Sequence, residues 1–342
     1  MQEIILSQAL ADSAFFVERA YVMMSAPVIW QRPDLVLPKP FDTLFFDVDG
    51  VLIETVASFR AANIAVTKYI VGTLNGLEWD QHEQQGPVTQ EDITIFKQAG
   101  GFNSDWDMCY LLSSLTTARL REWRDSSLAE RSTREWGVLA HEAALTGQGG
   151  RAWVDATFPA SARTSYEVVV DVFNESYWGA RELRNRLGRE PRYMPDAPGY
   201  VHNEKMLYAP DFFERLRRRG IAHLGMITGR VGAEVDIAIE RMEAYSGQRW
   251  WDVVVPADVH AKPDPAALRF AIDQVGARGG LYIGDTADDF DLVRRYKATK
   301  TSNEPTILAA MVVHEQEIDL YRQRGADLLV HSVTALNDFL NR

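Results

Sequence analysis

An apolar run that stops on two carboxylates sets the strongest limit on what this chain can fold into. Leu44-Phe45-Phe46 leads directly into Asp47, Val48, Asp49 and Gly50. A short apolar stretch of this kind reads as a strand buried on both faces, as in parallel sheets covered by helices. Packing gives no reason for two acids at its end, and in open α/β sheets ligands sit just beyond the carboxyl ends of the strands. Two ordinary readings compete. Asp-x-Asp-Gly resembles half of a calcium loop, but that loop needs glycine sixth and glutamate twelfth. Here glycine is fourth and Ser58 twelfth. A plain strand exit, where Asp and Gly form turns, stays open on this fragment alone.

The rest of the chain decides between them. Helical spacing over Phe212–Gly220 precedes a second apolar strand, Ala222–Arg230, which ends in Thr228-Gly229. Gly232–Tyr245 reads as a helix, Trp251–Pro256 as a strand and Pro265–Val275 as a helix opened by its proline. Gly280–Asp285 is a further strand ending in Gly-Asp, followed by a helix through Phe290–Tyr296. Ile307–Val313 and Asp327–Val330 read as the last strands, around a helix over Gln316–Arg324. Strands alternating with helices imply right-handed βαβ units and a parallel sheet. Asp47/Asp49, Thr228 and Asp285 then share one edge of that sheet.

Between about 61 and 204 the pattern changes to Trp, Arg and helix formers, with helical stretches at Leu111–Arg124, Arg134–Leu145 and Val168–Leu187. A Pro/Gly segment, Gly188–Gly199, leads back. The reading is a doubly wound, Rossmann-like α/β core over 41–60 and 205–342, carrying an inserted, mainly helical domain over 61–204. Residues 1–40 read as an extension with a helix, Ile4–Met24, and a connector punctuated by Pro33, Pro38 and Pro40.

In order, the polar residues are Asp47-x-Asp49, Thr228, Lys262 in Ala-Lys-Pro-Asp-Pro, and Gly284-Asp285-Thr-Ala-Asp-Asp289. This series resembles the four motifs of the haloacid dehalogenase (HAD) superfamily of phosphohydrolases, in the right order and strand context. The insert takes the place of that family's helical cap, which closes over the site and supplies specificity. The resemblance implies Asp47 as a nucleophile forming an aspartyl-phosphate and Asp49 as general acid and base. It places Thr228, with Gly229, on phosphoryl oxygens and Lys262 as a neutralising cation. Mg²⁺ is the implied cofactor, a hard cation suited to oxygen ligands. Its implied ligands are Asp47, the backbone carbonyl of Asp49, Asp285 and Asp289. Asp289 is preferred to Asp288 because it lies four residues from Asp285 on one helix face and precedes Phe290. An acid at Asp49 favours phosphoryl transfer over dehalogenation; a phosphomutase or a silent binding protein of the same fold are the alternatives.

Substrate contacts are harder to read. The segment Lys97-Gln-Ala-Gly-Gly-Phe-Asn-Ser-Asp-Trp106 resembles one in a phosphoglycolate-phosphatase-like branch of subfamily IA. Phe102 and Asn103 are substrate candidates there, against a plain helix start capped by Asn103 or Ser104. Arg60 is a candidate for a second anionic group, against a surface salt bridge. The expected substrate is a small phosphorylated metabolite: a phosphoglycolate-like acid, a sugar phosphate or an amino-alcohol phosphate. A formal charge of −12 over 342 residues argues against nucleic-acid binding. No basic residue precedes Arg19 and no apolar run approaches a membrane span, so no secretory signal or membrane partner is expected. The single cysteine, Cys109, fits a reducing cytoplasm and reads as helix filler.

Overall fold

Nine strands occur among the residues that the computed structural model describes, which are 28–78, 87–99, 101–102, 104–122, 139, 143 and 150–340. They are β1 Val28–Gln31, β2 Thr43–Phe46, β3 Ile53–Glu54, β4 Lys205–Met206, β5 His223–Ile227, β6 Val253–Val255, β7 Gly279–Gly284, β8 Thr306–Val312 and β9 Leu328–Val330. Seven form one sheet in the order β1-β9-β8-β7-β2-β5-β6, while β3 and β4 make a two-stranded pair. The apolar run at 44–46 lies at the heart of the large sheet. All four residues of β2 are buried, and β2 pairs in parallel with β5 on one side and β7 on the other. From β2 the chain builds outward to β5 and β6, then returns to lay down β7, β8 and β9 on the other side. That reversal is the topological switch where ligand crevices form in doubly wound sheets.

Apolar clusters cover both faces of the sheet. One gathers Phe46, Phe212, Phe213, Leu224, Met226 and Leu281; the other gathers Phe45, Ile227, Leu268, Tyr282, Val293 and Ala309. Adjacent residues Phe45 and Phe46 serve opposite faces, the period-two rule of a strand. The covering helices include Phe212–Arg218, Ala233–Ser246, Pro265–Val275 and Ala287–Thr299. Pro265 opens its helix as the sequence suggests, with the Asp264 side chain accepting from Ala266 N.

The chain divides into two compact units. One holds the described residues of Met1–Ile53, Met206–Asp285 and Asp289–Arg342; the other holds those of Glu54–Lys205 with Thr286–Asp288. The second is mainly helical, with helices at Ala61–Lys68, Gln90–Ala99, Asp105–Glu122, Gly150–Thr157 and Tyr166–Leu187. The last of these is broken at Gly179, whose φ of 67° is left-handed. A side chain there would meet the Gly199 backbone at 2.9 Å. Cys109 is buried within the helix Asp105–Glu122, where its Sγ donates to Asn63 Oδ1. The expected helices Ile4–Met24 and, almost entirely, Arg134–Leu145 lie outside the described residues.

Three strands were not expected: the two-residue β3 and β4, and β1. Val28–Gln31, read as part of an extension, pairs antiparallel with β9 as the sheet's edge. Asp327 ties it down: its fully buried carboxylate pairs with Lys297 and, at 3.3 Å, with Arg32, and accepts from Ala309 N at 2.8 Å. Removing one member of a buried charge set leaves the others uncompensated. Asp327→Ala should therefore lower stability by about 3 kcal/mol, read as a lower urea midpoint with an unchanged slope. A shift within experimental error would show that β1 and β8 hold without it.

Candidate active site

The register of the central strands carries the polar residues to one edge. Phe46 pairs with Met226 of β5 and with Ile283 of β7, so Asp47 follows level with Ile227 and Gly284. Asp47 N donates to Ile283 O, which extends the ladder by one bond beyond β2. Thr228 and Asp285 each lie one residue past those strand ends. Lys262 comes from the segment after β6, and Asp289 from the first turn of the helix that follows β7.

These side chains meet. Lys262 Nζ lies 2.8 Å from Asp47 Oδ1 and 2.7 Å from Asp289 Oδ1, with all three side chains at most 5% exposed. Carboxylate oxygens of Asp47, Asp285 and Asp289 all fall within 4.8 Å of one another. The backbone makes room for this crowd at two glycines. A Cβ on Gly50, which has φ +76°, would sit 2.0 Å from Asp285 Oδ2; one on Gly284 would sit 2.2 Å from the Asp289 Cβ. Neither position tolerates a side chain without displacing an acid.

Electrostatics follows from the geometry. Burial pushes the Asp47 carboxyl well above the usual carboxylate range, and the charge of Asp289 pushes the same way while Lys262 pulls against both. Burial alone would lower the Lys262 ammonium, but Asp289 and Asp47 outweigh it and hold the ammonium charged far into the alkaline range. The result is a fixed internal cation wedged between two buried acids.

Asp49 sits apart from that cluster. Its carboxylate is 30% exposed and accepts from Arg230 Nε at 2.9 Å and Nη2 at 2.6 Å. Thr228 is buried and its Oγ1 accepts from Arg230 N, while Gly229 is exposed beside it. In the helical unit, Arg60 Nη1 donates to Thr94 Oγ1 at 2.9 Å. Phe102 is 1% exposed and packs edge-on against Phe96 and Trp153. That packing makes it a core side chain, which its sequence neighbourhood of glycines had disguised. Asn103 lies outside the described residues; the helix beside it is capped by Ser104, whose Oγ accepts from Asp107 N.

Two participants were missed. Arg230 follows the Thr-Gly pair and is 1% exposed; its direct adjacency to Thr228-Gly229 was the available signal. Tyr282, expected within a strand but without a role, is fully buried and donates its hydroxyl to Asp289 Oδ1 at 2.6 Å. Burial, then Asp289, pushes that phenol well above its ordinary range, so it stays a donor. Asp289 thus accepts from Lys262 and Tyr282 through Oδ1, and from Asp285 N through Oδ2.

The arrangement combines a buried carboxylate, Asp47, held against a buried cation, an all-oxygen set that suits a hard divalent ion, and the partly exposed Asp49 carboxylate two residues on. No curated protein matches the chain in sequence. Among solved structures, a phosphatase, Tt82, from Thermococcus thioreducens aligns over 87% of this chain and 99% of its own at 24% identity, with a TM-score of 0.55. A structural-genomics target solved by X-ray crystallography covers 88% and 98% at 14% identity, with a TM-score of 0.54. A phosphonoacetaldehyde hydrolase-like protein from Oleispira antarctica covers 91% and 95% at 15% identity, with a TM-score of 0.47. The first two likenesses speak for the fold. The family described as haloacid dehalogenase-like hydrolase matches residues 41–293, about three quarters of the sequence, and to that family the chain belongs.

Proposed function

We propose that the protein is a Mg²⁺-dependent phosphatase that hydrolyses a small phosphorylated metabolite through an aspartyl-phosphate on Asp47. The observation that carries this reading is Lys262 held between the buried Asp47 and Asp289, with the partly buried Asp285 completing an oxygen cluster. A cation fixed against the nucleophile lets a carboxylate approach a phosphate dianion without prohibitive repulsion.

In the first step an Asp47 oxygen attacks phosphorus, the bond to the leaving oxygen breaks, and Asp49 delivers a proton to that oxygen. In the second, Asp49 takes a proton from water, the water oxygen bonds to phosphorus, and the Asp47–phosphorus bond breaks to release inorganic phosphate. Thr228 holds phosphoryl oxygens through its hydroxyl, with Gly229 beside it. Lys262 neutralises charge on Asp47 and phosphate together. Asp289, clamped by Lys262 and Tyr282, fixes the lysine in place. The donor set fits the cation: Asp47, the Asp49 carbonyl and Asp285 would hold Mg²⁺, with Asp289 at its edge. When bound, that ion supplies positive charge against the transferring phosphoryl group. We read residues 61–204 as the cap that selects the substrate, with Arg60 as a candidate contact for a second anionic group.

The test is phosphate release from a broad panel of phosphorylated metabolites in MgCl₂, with Asp47→Asn as the blank. Release from one or a few compounds is expected, abolished by EDTA and restored by Mg²⁺. Turnover that survives EDTA would remove the cation from the reading. Isomerisation of a sugar phosphate without phosphate release would identify a phosphomutase instead.

A further inference from the structure

We propose that Arg230 is a positioning residue that fixes the Asp49 carboxylate for its proton transfers, an inference that rests on the phosphatase reading above. The backbone around Asp49 is already pinned. Gly50 N donates to Ile53 O, and Leu52 N and Ile53 N both donate to Val48 O, each at 2.8 Å. What remains to be fixed is the Asp49 side chain, which at 30% exposure is less packed than Asp47 and Asp289, the two acids paired with Lys262. Two guanidinium donors converge on one of its oxygens, Oδ1, and remove that freedom. The other oxygen is not needed for this grip.

Arg230 is itself held, its guanidinium at one further point and its backbone at two. Arg230 Nη1 lies 3.5 Å from Glu234 O, its backbone N donates to Thr228 Oγ1, and its carbonyl accepts from Ala257 N. A 1% exposed arginine reached from β5, the following helix and the loop after β6 has little room to move. Such a group transmits order to Asp49 rather than receiving it. The same contacts link the ends of β2 and β5, so a purely architectural ion pair is the rival explanation.

Leaving-group dependence separates the two. A correctly aimed acid flattens the dependence of bond cleavage on leaving-group acidity, whereas cleavage of a good leaving group needs no proton. The experiment measures phenol release in single turnovers with Mg²⁺, across phenyl phosphates of graded leaving-group acidity. In Arg230→Met, phenyl phosphate cleavage should slow by about 10- to 100-fold, and 2,4-dinitrophenyl phosphate by no more than about 3-fold. The slope of rate against leaving-group acidity should steepen towards that of Asp49→Asn. Arg230→Lys, which keeps the charge, should recover part of the lost rate and guards against a misfolded Met variant.

A uniform loss across the series, or an unchanged slope in both variants, overturns the positioning role while leaving the phosphatase reading intact. A wild-type protein with no Asp47-dependent release, neither of phenol from this series nor of phosphate from the metabolite panel, overturns that reading, and this role with it.

Discussion

Asp47→Asn should reduce turnover by at least ~10⁴-fold, the scale expected when one member of a unit-acting catalytic set is lost, without loss of folded structure. The amide keeps the size of the carboxylate but has no lone-pair anion to attack phosphorus, so no covalent intermediate forms. The rest of the site has no other acid in the same place: Asp49 faces Arg230, and Asp289 is committed to Lys262 and Tyr282. Stability should move the other way. In the folded protein burial, and then Asp289, raise the Asp47 carboxyl well above its ordinary range. A raised carboxyl binds its proton more tightly in the native state than in the unfolded chain, so ionisation costs stability as pH rises from the ordinary carboxylate range upward. In EDTA near pH 7.5 the variant's thermal midpoint should therefore equal or exceed that of the wild type. A clear drop would mean that the Asp47–Lys262 pair is net stabilising and that Asp47 is not a strained group. Turnover above a few per cent would remove Asp47 as the nucleophile.

The large-scale fold was legible because its signals are local and repeated. β2, β5, β6 and β7 each show a short apolar run closed by a turn residue or an acid, and the helices between them have starts or stops that propensity alone can find. β1 escaped because Val28–Gln31 is four residues long, flanked by prolines, and only half-buried on the sheet's edge. Its pairing depends on β9 and Asp327, three hundred residues away, which no local pattern records. The meeting of acids at one edge followed from parallel topology. Arg230 did not, because sequence cannot say whether an arginine beside a Thr-Gly strand exit points to solvent or is 1% exposed on Asp49. Tyr282 was hidden by the same ambiguity: a tyrosine in a buried strand looks like filler until its hydroxyl needs an acceptor. At Phe102 the ambiguity ran in reverse. Glycines and polar neighbours suggested a contact loop, while the ring had gone to complete an aromatic core with Phe96 and Trp153.

Lys262→Met should be the most destabilising change in the site, costing about 3 kcal/mol or more, and should also abolish turnover. The substitution preserves length and apolar volume, so what it removes is charge. Asp47 and Asp289 would then face each other, with Asp285 nearby, in a buried space that has lost its internal cation. The pH dependence identifies the cause. Lys262 is raised above its ordinary value of 10.5, so its contribution is fully present below that pH and is lost only in strong alkali. Between pH 5 and 8 the lysine itself therefore changes nothing, and any pH trend in the variant comes from the acids. Without the ammonium they bind protons more tightly when folded, so the variant should lose stability as pH rises across that window. Urea midpoints in EDTA should lie closer to the wild type at pH 5 than at pH 8. Adding MgCl₂ at pH 8 should raise the variant's midpoint more than the wild type's, because a divalent cation on the same oxygens replaces the missing charge. A gap of equal size at both pH values, unmoved by Mg²⁺, would assign Lys262 to packing and leave Asp47 without its fixed counter-charge. Arginine should not substitute, since a planar guanidinium cannot enter a space that holds a point cation at 1% exposure against two carboxylates.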